Sequence, residues 1–464
     1  MLGISLERLS KQSIKRQIYT QLREQIMNGQ LKEKDELPST RELAKALKVS
    51  RNTISEAYAM LIDEGFVVSR QGASTRVAEG VSMNKNEQVI SAIKSSPQYT
   101  ITIDFRTGRP DLRQFPQYLW RQFSNKVSME MPMELYGYTG PQGLYELRTE
   151  IAEWLFRNRG LKVNAEDIFI TSGATQALYI LAELLCKSGS KVLIEDPCHS
   201  GMHRIFANRG CLIEPIPADD HGMMTQYLHI KDACAVYVTP SHQFPLGGIL
   251  PASRRAELIR FAKENGIYII EDDYDSEFRY SGDPVSPLYA MDQQNVVYVG
   301  TFSKSLFPAL RIGYVILPQQ LHERWCDVRT YMDVQNPVLQ QAILAEFMRT
   351  RKLDRHIKKM RRIYGQRRLV LLESLRESFG DKCLPCGDAA GLHIAVDFPG
   401  MRFDKDFQEI CLRNGIHITP VEKHCIVKDR HVSKLLFGYG HLEPDEIRMN
   451  VHALYDLMKK ISLV

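Results

Sequence analysis

Apolar residues near the start of the chain recur with the period of a helix. Ile14, Ile18, Leu22 and Ile26 are spaced four residues apart, so they form one apolar stripe on a helix that ends near Gly29. This pattern predicts a helix that packs on its neighbours through a single face.

Two shorter helices are predicted directly after it. Ser39 and Glu42 form a capping box behind Pro38, and Ser50 is in position to cap the next helix. The residues of that third helix fall into two groups. Those predicted to face inward are Ile54, Tyr58, Leu61 and Ile62, and those predicted to face outward at its start are Arg51, Asn52, Thr53 and Ser55.

The outward group is suited to contacts with DNA. Recognition helices read bases with their N-terminal residues, and Arg, Asn and Thr offer donors for base edges and phosphates. After the helix, the run from Phe66 to Val77 predicts two short strands around a glycine turn, a wing with Arg70 at its tip. Residues 1–78 hold 13 Lys and Arg against 9 Asp and Glu, so they carry +4 of the net charge of +5. This bias agrees with a phosphate-facing surface, although a three-helix module that binds another protein is the alternative.

A second group of segments joins short apolar runs to chemically active residues. A strand-like run over residues 295–300 delivers Lys304 to its end, and a second run over 311–317 begins at Arg311. Burial lowers the pKa of an amine and makes lysine a Schiff-base nucleophile toward an aldehyde cofactor. The hydroxyls of Thr301 and Ser303 and the guanidinium of Arg311 are suited to a phosphate. The alternative is a solvated lysine in a loop between strands.

In two further segments, a short apolar strand is again followed by residues suited to binding a ligand. The apolar strand that starts at Ile168 turns through Gly173 into an apolar helix over 177–185, so the backbone N–H groups of Ala174 and Thr175 are a seat for an anion. A buried strand that starts at Ile267 ends in acidic residues that include Asp272 and precede Tyr274. The alternatives are a plain strand-to-helix turn in the first segment and, in the second, an acidic strand end that faces water. Asp273 and Asp275 fit the water-facing interpretation.

These segments resemble, in order, the cofactor-binding segments of fold-type I aminotransferases that use pyridoxal phosphate (PLP). The helices and wing resemble the winged helix-turn-helix of GntR-type regulators. Together, nearly the whole chain is similar to the MocR/GabR subfamily of GntR regulators. The resemblance implies an N-terminal winged helix-turn-helix (α+β) at 1–78, a linker at 79–102 and an α/β aminotransferase-like domain at 103–464.

The resemblance also implies roles for particular residues. Lys304 forms the Schiff base with PLP, Asp272 pairs with the pyridinium nitrogen and Tyr274 with the phenolate oxygen, and His199 takes the position that stacks on the ring. Tyr138 is similar to a tyrosine that reaches the phosphate of the neighbouring subunit, which implies a homodimer; a core tyrosine is the alternative. The implied cofactor-binding residues are Ala174, Thr175, His199, Asp272, Tyr274, Thr301, Ser303, Lys304, Arg311 and Tyr138. The implied contacts to double-stranded operator DNA are Ser39, Arg41, Ser50, Arg51, Asn52, Thr53, Arg70 and Gly72.

Three departures from the family pattern bear on function. Phe244 stands where aminotransferases typically place an asparagine that bonds the phenolate oxygen of the cofactor, and its presence favours sensing over turnover. GabR-like proteins clamp the carboxylate of an amino-acid effector with two arginines, whose places hold Gly201 and His441 here. Gamma-aminobutyrate is therefore not the expected effector. Other cations near the domain start are Arg106, Arg109 and Arg113.

Composition limits the class of protein. The chain of 464 residues is 44% apolar and 25% charged, which is typical of a globular protein with more than one domain. It contains no apolar run of the roughly 18 residues that span a membrane and no signal-peptide pattern at its start, so we expect a cytoplasmic protein. Its nine cysteines lack the regular spacing of a zinc site and are expected to be reduced thiols, with no bound metal.

The sequence therefore predicts a PLP-dependent, DNA-binding transcriptional regulator that senses PLP, an amine effector, or both. Three alternatives remain at this point. They are an active PLP-dependent aminotransferase with a fused DNA-binding module, a regulator that senses PLP alone, and a structural protein with a vestigial fold that binds no PLP.

Overall fold

The computed structural model describes residues 2–70, 73–81, 99–230, 232–282, 285–387 and 390–463. The chain divides into two compact units, Met1–Pro97 and Gln98–Val464. Most of the predicted linker at 79–102 lies outside the described residues, as does the predicted DNA contact Gly72. Within the described residues, no helix combines the length and apolarity needed to cross a membrane.

The described residues of the first unit form three helices and a small hairpin, as the apolar pattern predicts. Ser39 and Glu42 form the capping box, and Ser50 accepts a hydrogen bond from the backbone N–H of Thr53. Ile62 is 41% exposed, so its prediction as an inward residue is wrong; Ala57, one turn after the buried Ile54, faces the core instead. The elements are α1 (Ile14–Met27), α2 (Thr40–Leu47), α3 (Arg51–Asp63), β1 (Val67–Val68) and β2 (Arg76–Val77).

The second unit has the three-layer arrangement of an α/β domain followed by a smaller antiparallel sheet. Its first half contains β3 (Ile103–Asp104), α4 (Gln117–Glu130), α5 (Tyr145–Arg159), β4 (Ile168–Thr171), α6 (Ala174–Leu185), β5 (Lys191–Asp196), α7 (Ser200–Asn208), β6 (Leu212–Asp219), β7 (Gly222–Met223), β8 (Ala233–Val238), α8 (Ala252–Asn265), β9 (Tyr268–Asp273), β10 (Val296–Thr301) and β11 (Gly313–Ile316). The rest contains α9 (His322–Met332), α10 (Val338–Arg349), α11 (Lys352–Phe379), β12 (Leu384–Cys386), β13 (His393–Asp397), α12 (Lys405–Arg413), β14 (Ile416–His417), β15 (Thr419–Pro420), β16 (Lys434–Gly438) and α13 (Pro444–Lys460).

The large sheet has eight strands in the order β4-β11-β10-β9-β8-β5-β6-β7. The neighbouring strands from β10 through β9, β8 and β5 to β6 are parallel, whereas β11 is antiparallel to both β10 and β4. Val296 and Tyr298 of β10 pack into one hydrophobic core, and Val297 and Val299 pack into another. Because successive side chains of a strand point to opposite faces, both faces of this sheet are covered. Polar side chains therefore collect at the carboxyl ends of the strands.

Candidate functional site

A cavity of about 270 Å³ opens at the carboxyl ends of the large sheet. All of the residues predicted to bind the cofactor line it, with the exception of Tyr138. They come from the ends of separate strands and from the start of α6, and the fold brings them together. The nine are Ala174, Thr175, His199, Asp272, Tyr274, Thr301, Ser303, Lys304 and Arg311.

Lys304 projects into the cavity three residues after β10 ends. Its Nζ donates a hydrogen bond to the carbonyl oxygen of Gly108 at 2.7 Å. Burial lowers the pKa of Lys304, and the carboxylates of Asp275 and Asp272 oppose that shift. A lowered pKa gives the amine a larger unprotonated fraction at neutral pH, which is the form that attacks a carbonyl.

Asp272 occupies the end of β9 and is 6% exposed. Its Oδ2 accepts a hydrogen bond from the Tyr237 hydroxyl at 2.7 Å, whereas its Oδ1 is buried without a hydrogen-bond partner among the described residues. Burial raises the pKa of Asp272 to about 6, so the carboxyl is largely ionised at neutral pH. An ionised oxygen without a partner is costly unless a ligand donates to it.

The start of α6 forms an anion-binding end of the cavity. Gly173 has a φ angle of 93°, a backbone conformation that residues with a side chain rarely adopt. It turns the chain from β4 into the helix. The helix begins at Ala174, earlier than the predicted 177. Because the first N–H groups of a helix have no partner within it, those at Ala174 and Thr175 are free to bind a ligand. Arg311 donates to the carbonyl oxygen of Ser172 beside this turn. Free N–H groups and a guanidinium at one helix start favour a phosphate.

Thr301 and Ser303 add two hydroxyls to this anion-binding end. Their oxygens lie 3.0 Å apart, and the Ser303 backbone N–H also donates to Thr301 Oγ1. Thr301 pairs with Gly313 in the sheet, and a Cβ atom at Gly313 would lie 2.8 Å from the Cα of Gly173. The close backbone approach at these two glycines therefore sets the hydroxyls beside the start of α6.

Imidazole rings surround Phe244 on another wall of the cavity. Ring centroids of His199, His393 and His424 lie 5.3, 5.1 and 5.0 Å from that of Phe244. Burial lowers the pKa of all three imidazoles, to about 3 for His393 and His424. These rings are neutral at physiological pH, so the cationic side chains that line the described cavity are Lys304 and Arg311.

Buried partners hold the acidic residues around Tyr274, which corrects the water-facing interpretation of Asp273 and Asp275. Asp275 is 1% exposed and lies 2.9 Å from His242 Nδ1, which is also 2.9 Å from the Tyr274 hydroxyl. Asp273 is 5% exposed and pairs with Arg159 at 2.9 Å. Each buried carboxyl group thus has a polar partner from a distant segment of the chain.

Tyr138 lies outside the cavity. Tyr138 is 87% exposed and lies two residues after a short helix that ends at Tyr136. The alternative interpretation, that Tyr138 is a core residue, is therefore wrong. An exposed tyrosine is available to another molecule.

The two positions expected to clamp a carboxylate lack a cation. Gly201 has no side chain, and burial lowers the pKa of His441, so its imidazole is neutral at physiological pH. Both ring nitrogens of His441 are buried, and the nearby Asp104 opposes the shift in the pKa without reversing it. A neutral imidazole and a glycine cannot pair with a carboxylate.

The three neighbouring arginines already have carboxylate partners. Arg106 and Arg109 both pair with Asp104, at 2.6 and 2.7 Å. Arg113 pairs with Asp111 at 2.8 Å and with Glu443 at 3.0 Å. A ligand carboxylate would therefore compete with existing ion pairs at each of them.

Several residues that line the cavity belong to none of the sequence motifs. Tyr237 is the one polar side chain near the end of the apolar strand β8, a signal comparable to Asp272 in β9. Gly108 and His393 lie far from the recognised motifs and carry no local pattern of their own. Further lining residues are Thr107, Met202, Thr239, Pro308 and Leu392.

The first unit presents the predicted DNA-contacting residues on its surface. Arg51 and Asn52 are exposed at the start of α3, where Arg51 Nε donates to Thr40 Oγ1 at 3.2 Å and Asn52 Nδ2 donates to Glu56 Oε1 at 3.0 Å. Thr53 is half-buried, with its hydroxyl 2.8 Å from that of Ser50. The other described candidates are all exposed, and they are Ser39, Arg41, Ser50 and Arg70.

Comparisons with known proteins agree with this two-part organisation. The family of bacterial regulatory proteins, gntR family, matches residues 14–77, and the aminotransferase class I and II family matches residues 101–434. The chain is 35% identical to the uncharacterized HTH-type transcriptional regulator YdeL of Bacillus subtilis, over 87% of this chain and 88% of the relative. It belongs to the MocR/GabR subfamily of GntR-type transcriptional regulators.

Two further comparisons cover most of this MocR-type regulator. It is 30% identical to the HTH-type pyridoxine biosynthesis transcriptional regulator PdxR of Corynebacterium glutamicum, over 96% of both chains. Its fold matches the crystal structure of a multiple substrate aminotransferase from Thermococcus profundus with a TM-score of 0.73 at 25% identity, over 83% of this chain and 98% of that one. The second unit is therefore a fold-type I aminotransferase fold, whose family is PLP-dependent.

Proposed function

We propose that this MocR-type regulator holds PLP in the cavity of its second unit and that the ligand state of the cavity changes how the winged helices engage DNA. The observation that carries the proposal is the convergence of nine predicted residues on one cavity in a chain that also has a GntR domain. Operator binding measured with and without PLP tests it.

The residues of the cavity fit PLP. Asp272 Oδ1, buried and without a partner among the described residues, is suited to a protonated ring nitrogen. The N–H groups at Ala174 and Thr175 and the Arg311 guanidinium are suited to the phosphate. Lys304 is the amine for covalent attachment. When bound, PLP supplies an aldehyde and a ring that withdraws electrons.

Sensing fits the cavity better than turnover. Phe244 lines the cavity with a hydrocarbon ring where an aminotransferase typically has an asparagine amide, so it cannot donate a hydrogen bond to the cofactor oxygen. The clamp positions Gly201 and His441 provide no cation for an amino-acid carboxylate. An active aminotransferase with a fused DNA-binding module, the alternative function, would show sustained amino transfer to a keto-acid acceptor.

We further propose that the regulator is a homodimer whose subunits share their cofactor sites. Met133, Tyr136 and Tyr138 are 78%, 57% and 87% exposed within one short segment, an apolar surface suited to burial against a second copy. Light scattering of the PLP-loaded chain should give about twice the mass of 53.2 kDa. A mass of one chain at micromolar concentration would contradict the shared site.

We propose that the signal is PLP itself or an amine without a carboxylate. A desolvated carboxylate needs a paired cation, and leaving it unpaired costs several kcal/mol. Titration of the absorption spectrum of the bound cofactor should show that n-butylamine binds about tenfold or more tightly than gamma-aminobutyrate, which has the same chain with a carboxylate. Tight binding of gamma-aminobutyrate would show that Arg106, Arg109 or Arg113 leaves its ion pair to bind the effector.

A further inference from the structure

Three cysteines meet at the amino ends of the parallel strands, the opposite end of the sheet from the cavity. Cys186 follows α6, Cys211 precedes β6 and Cys234 is the second residue of β8. The Sγ atoms of Cys186 and Cys234 are in direct contact at 2.6 Å, although the two residues are 48 positions apart. The fold, and not a sequence motif, creates this thiol pair.

The two thiols of the pair differ in access to solvent. Cys186 is 2% exposed and belongs to the hydrophobic core, whereas Cys234 is half-buried and only packs against that core. The contact with Cys186 lowers the pKa of Cys234, whereas the same contact, burial and the nearby Cys211 raise the pKa of Cys186. The thiol of the less buried residue, Cys234, thus has the greater thiolate character, and its buried neighbour stays protonated.

The distance between the two sulfur atoms favours a redox pair over a zinc site. Two thiolates on one tetrahedral zinc, at about 2.3 Å each, lie roughly 3.8 Å apart, which is wider than this contact. Cys211 is 7% exposed and is the third thiol of the cluster. A partly exposed cysteine with thiolate character beside a second thiol is the arrangement of a thiol that is oxidised reversibly.

We propose that Cys234 and Cys186 form a reversible disulfide when the protein meets a hydroperoxide. The Cys234 thiolate attacks a peroxide oxygen and breaks the O–O bond, which yields a sulfenic acid and an alcohol, or water from hydrogen peroxide. The Cys186 sulfur then attacks the Cys234 sulfur, and its proton leaves with the departing hydroxide as water. Two thiols lose two electrons in total, and the peroxide gains them.

Mass spectrometry of the full wild-type chain tests the proposal. After hydrogen peroxide, alkylation and digestion without reductant, we expect one linked peptide pair that joins Cys186 to Cys234, with two fewer free thiols than the nine of the reduced chain. Dithiothreitol should restore them. Absence of the linked pair, or a link from either residue to Cys211, overturns the assignment whether or not any variant folds.

Variants then separate the two roles. Cys234→Ser should abolish the loss of thiols, and Cys186→Ser should leave Cys234 to proceed to acids that dithiothreitol does not reduce. Cys326→Ser is the matched control, because Cys326 is also half-buried but lies in α9, away from the cysteine cluster in the sequence. If Cys326→Ser suppresses the linked pair as strongly as Cys234→Ser does, the site lies elsewhere.

Discussion

Lys304→Ala is expected to abolish covalent attachment of PLP while it leaves the fold intact. Lys304 is the lysine that lines the described cavity, and its lowered pKa suits attack on an aldehyde. The substitution removes the hydrogen bond from Nζ to the carbonyl oxygen of Gly108, a residue that itself lines the cavity. Borohydride reduction of the PLP-loaded protein, digestion and mass spectrometry will locate the adduct.

The matched control is Lys191→Ala, which removes a lysine whose ion pair with Asp232 lies at the other end of the sheet. This variant should keep the yellow colour and the adduct of the wild type. A borohydride-reducible adduct on another lysine of the Lys304→Ala protein would show that the assignment of Lys304 is wrong.

Arg51→Ala is expected to weaken operator binding by roughly 1–3 kcal/mol if the guanidinium reads a base. Arg51 is exposed at the start of α3, and its contact with Thr40 is a surface hydrogen bond, so its removal should leave the fold unchanged. If Arg51 instead holds a phosphate, binding should weaken equally on all sequences, and the dependence of affinity on salt should become shallower. Gel shifts over a series of salt concentrations separate the two roles.

Lys32→Ala provides the control for Arg51→Ala, since it removes the same charge from an exposed residue of the first unit outside α3. It should change affinity less than Arg51→Ala does. Unchanged gel shifts for both Arg51→Ala and Asn52→Ala would remove the start of α3 from the DNA interface.

Local signals in the sequence carry much of this structure. The capping box at Ser39 and Glu42 is a contact between near neighbours, so it is readable without the fold. The places of Lys304 and Asp272 can be predicted from the sequence because each follows or ends a buried parallel strand. The carboxyl ends of neighbouring parallel strands lie at one edge of the sheet, so polar residues at these ends come together. A polar residue at the carboxyl end of such a strand is thus predicted to line the cavity.

Contacts between distant segments account for what the sequence pattern missed. Asp273 and Asp275 look like a solvated acidic turn until Arg159 and His242 are seen beside them. His393 enters the cavity from the smaller sheet. The thiol pair is equally invisible in the spacing of the cysteines, because α6 and β8 must come together before its sulfur atoms meet.

Binding of the full chain to the DNA upstream of its own coding sequence, with PLP as the single variable, tests the central claim. Protein stripped of PLP by hydroxylamine and dialysis, the same protein reloaded with PLP, and Lys304→Ala should be compared at one salt concentration. We expect a change in affinity or in the protected DNA region on reloading, and no such change for Lys304→Ala. Identical binding by stripped and reloaded wild-type protein would contradict the claim that ligand state controls the winged helices.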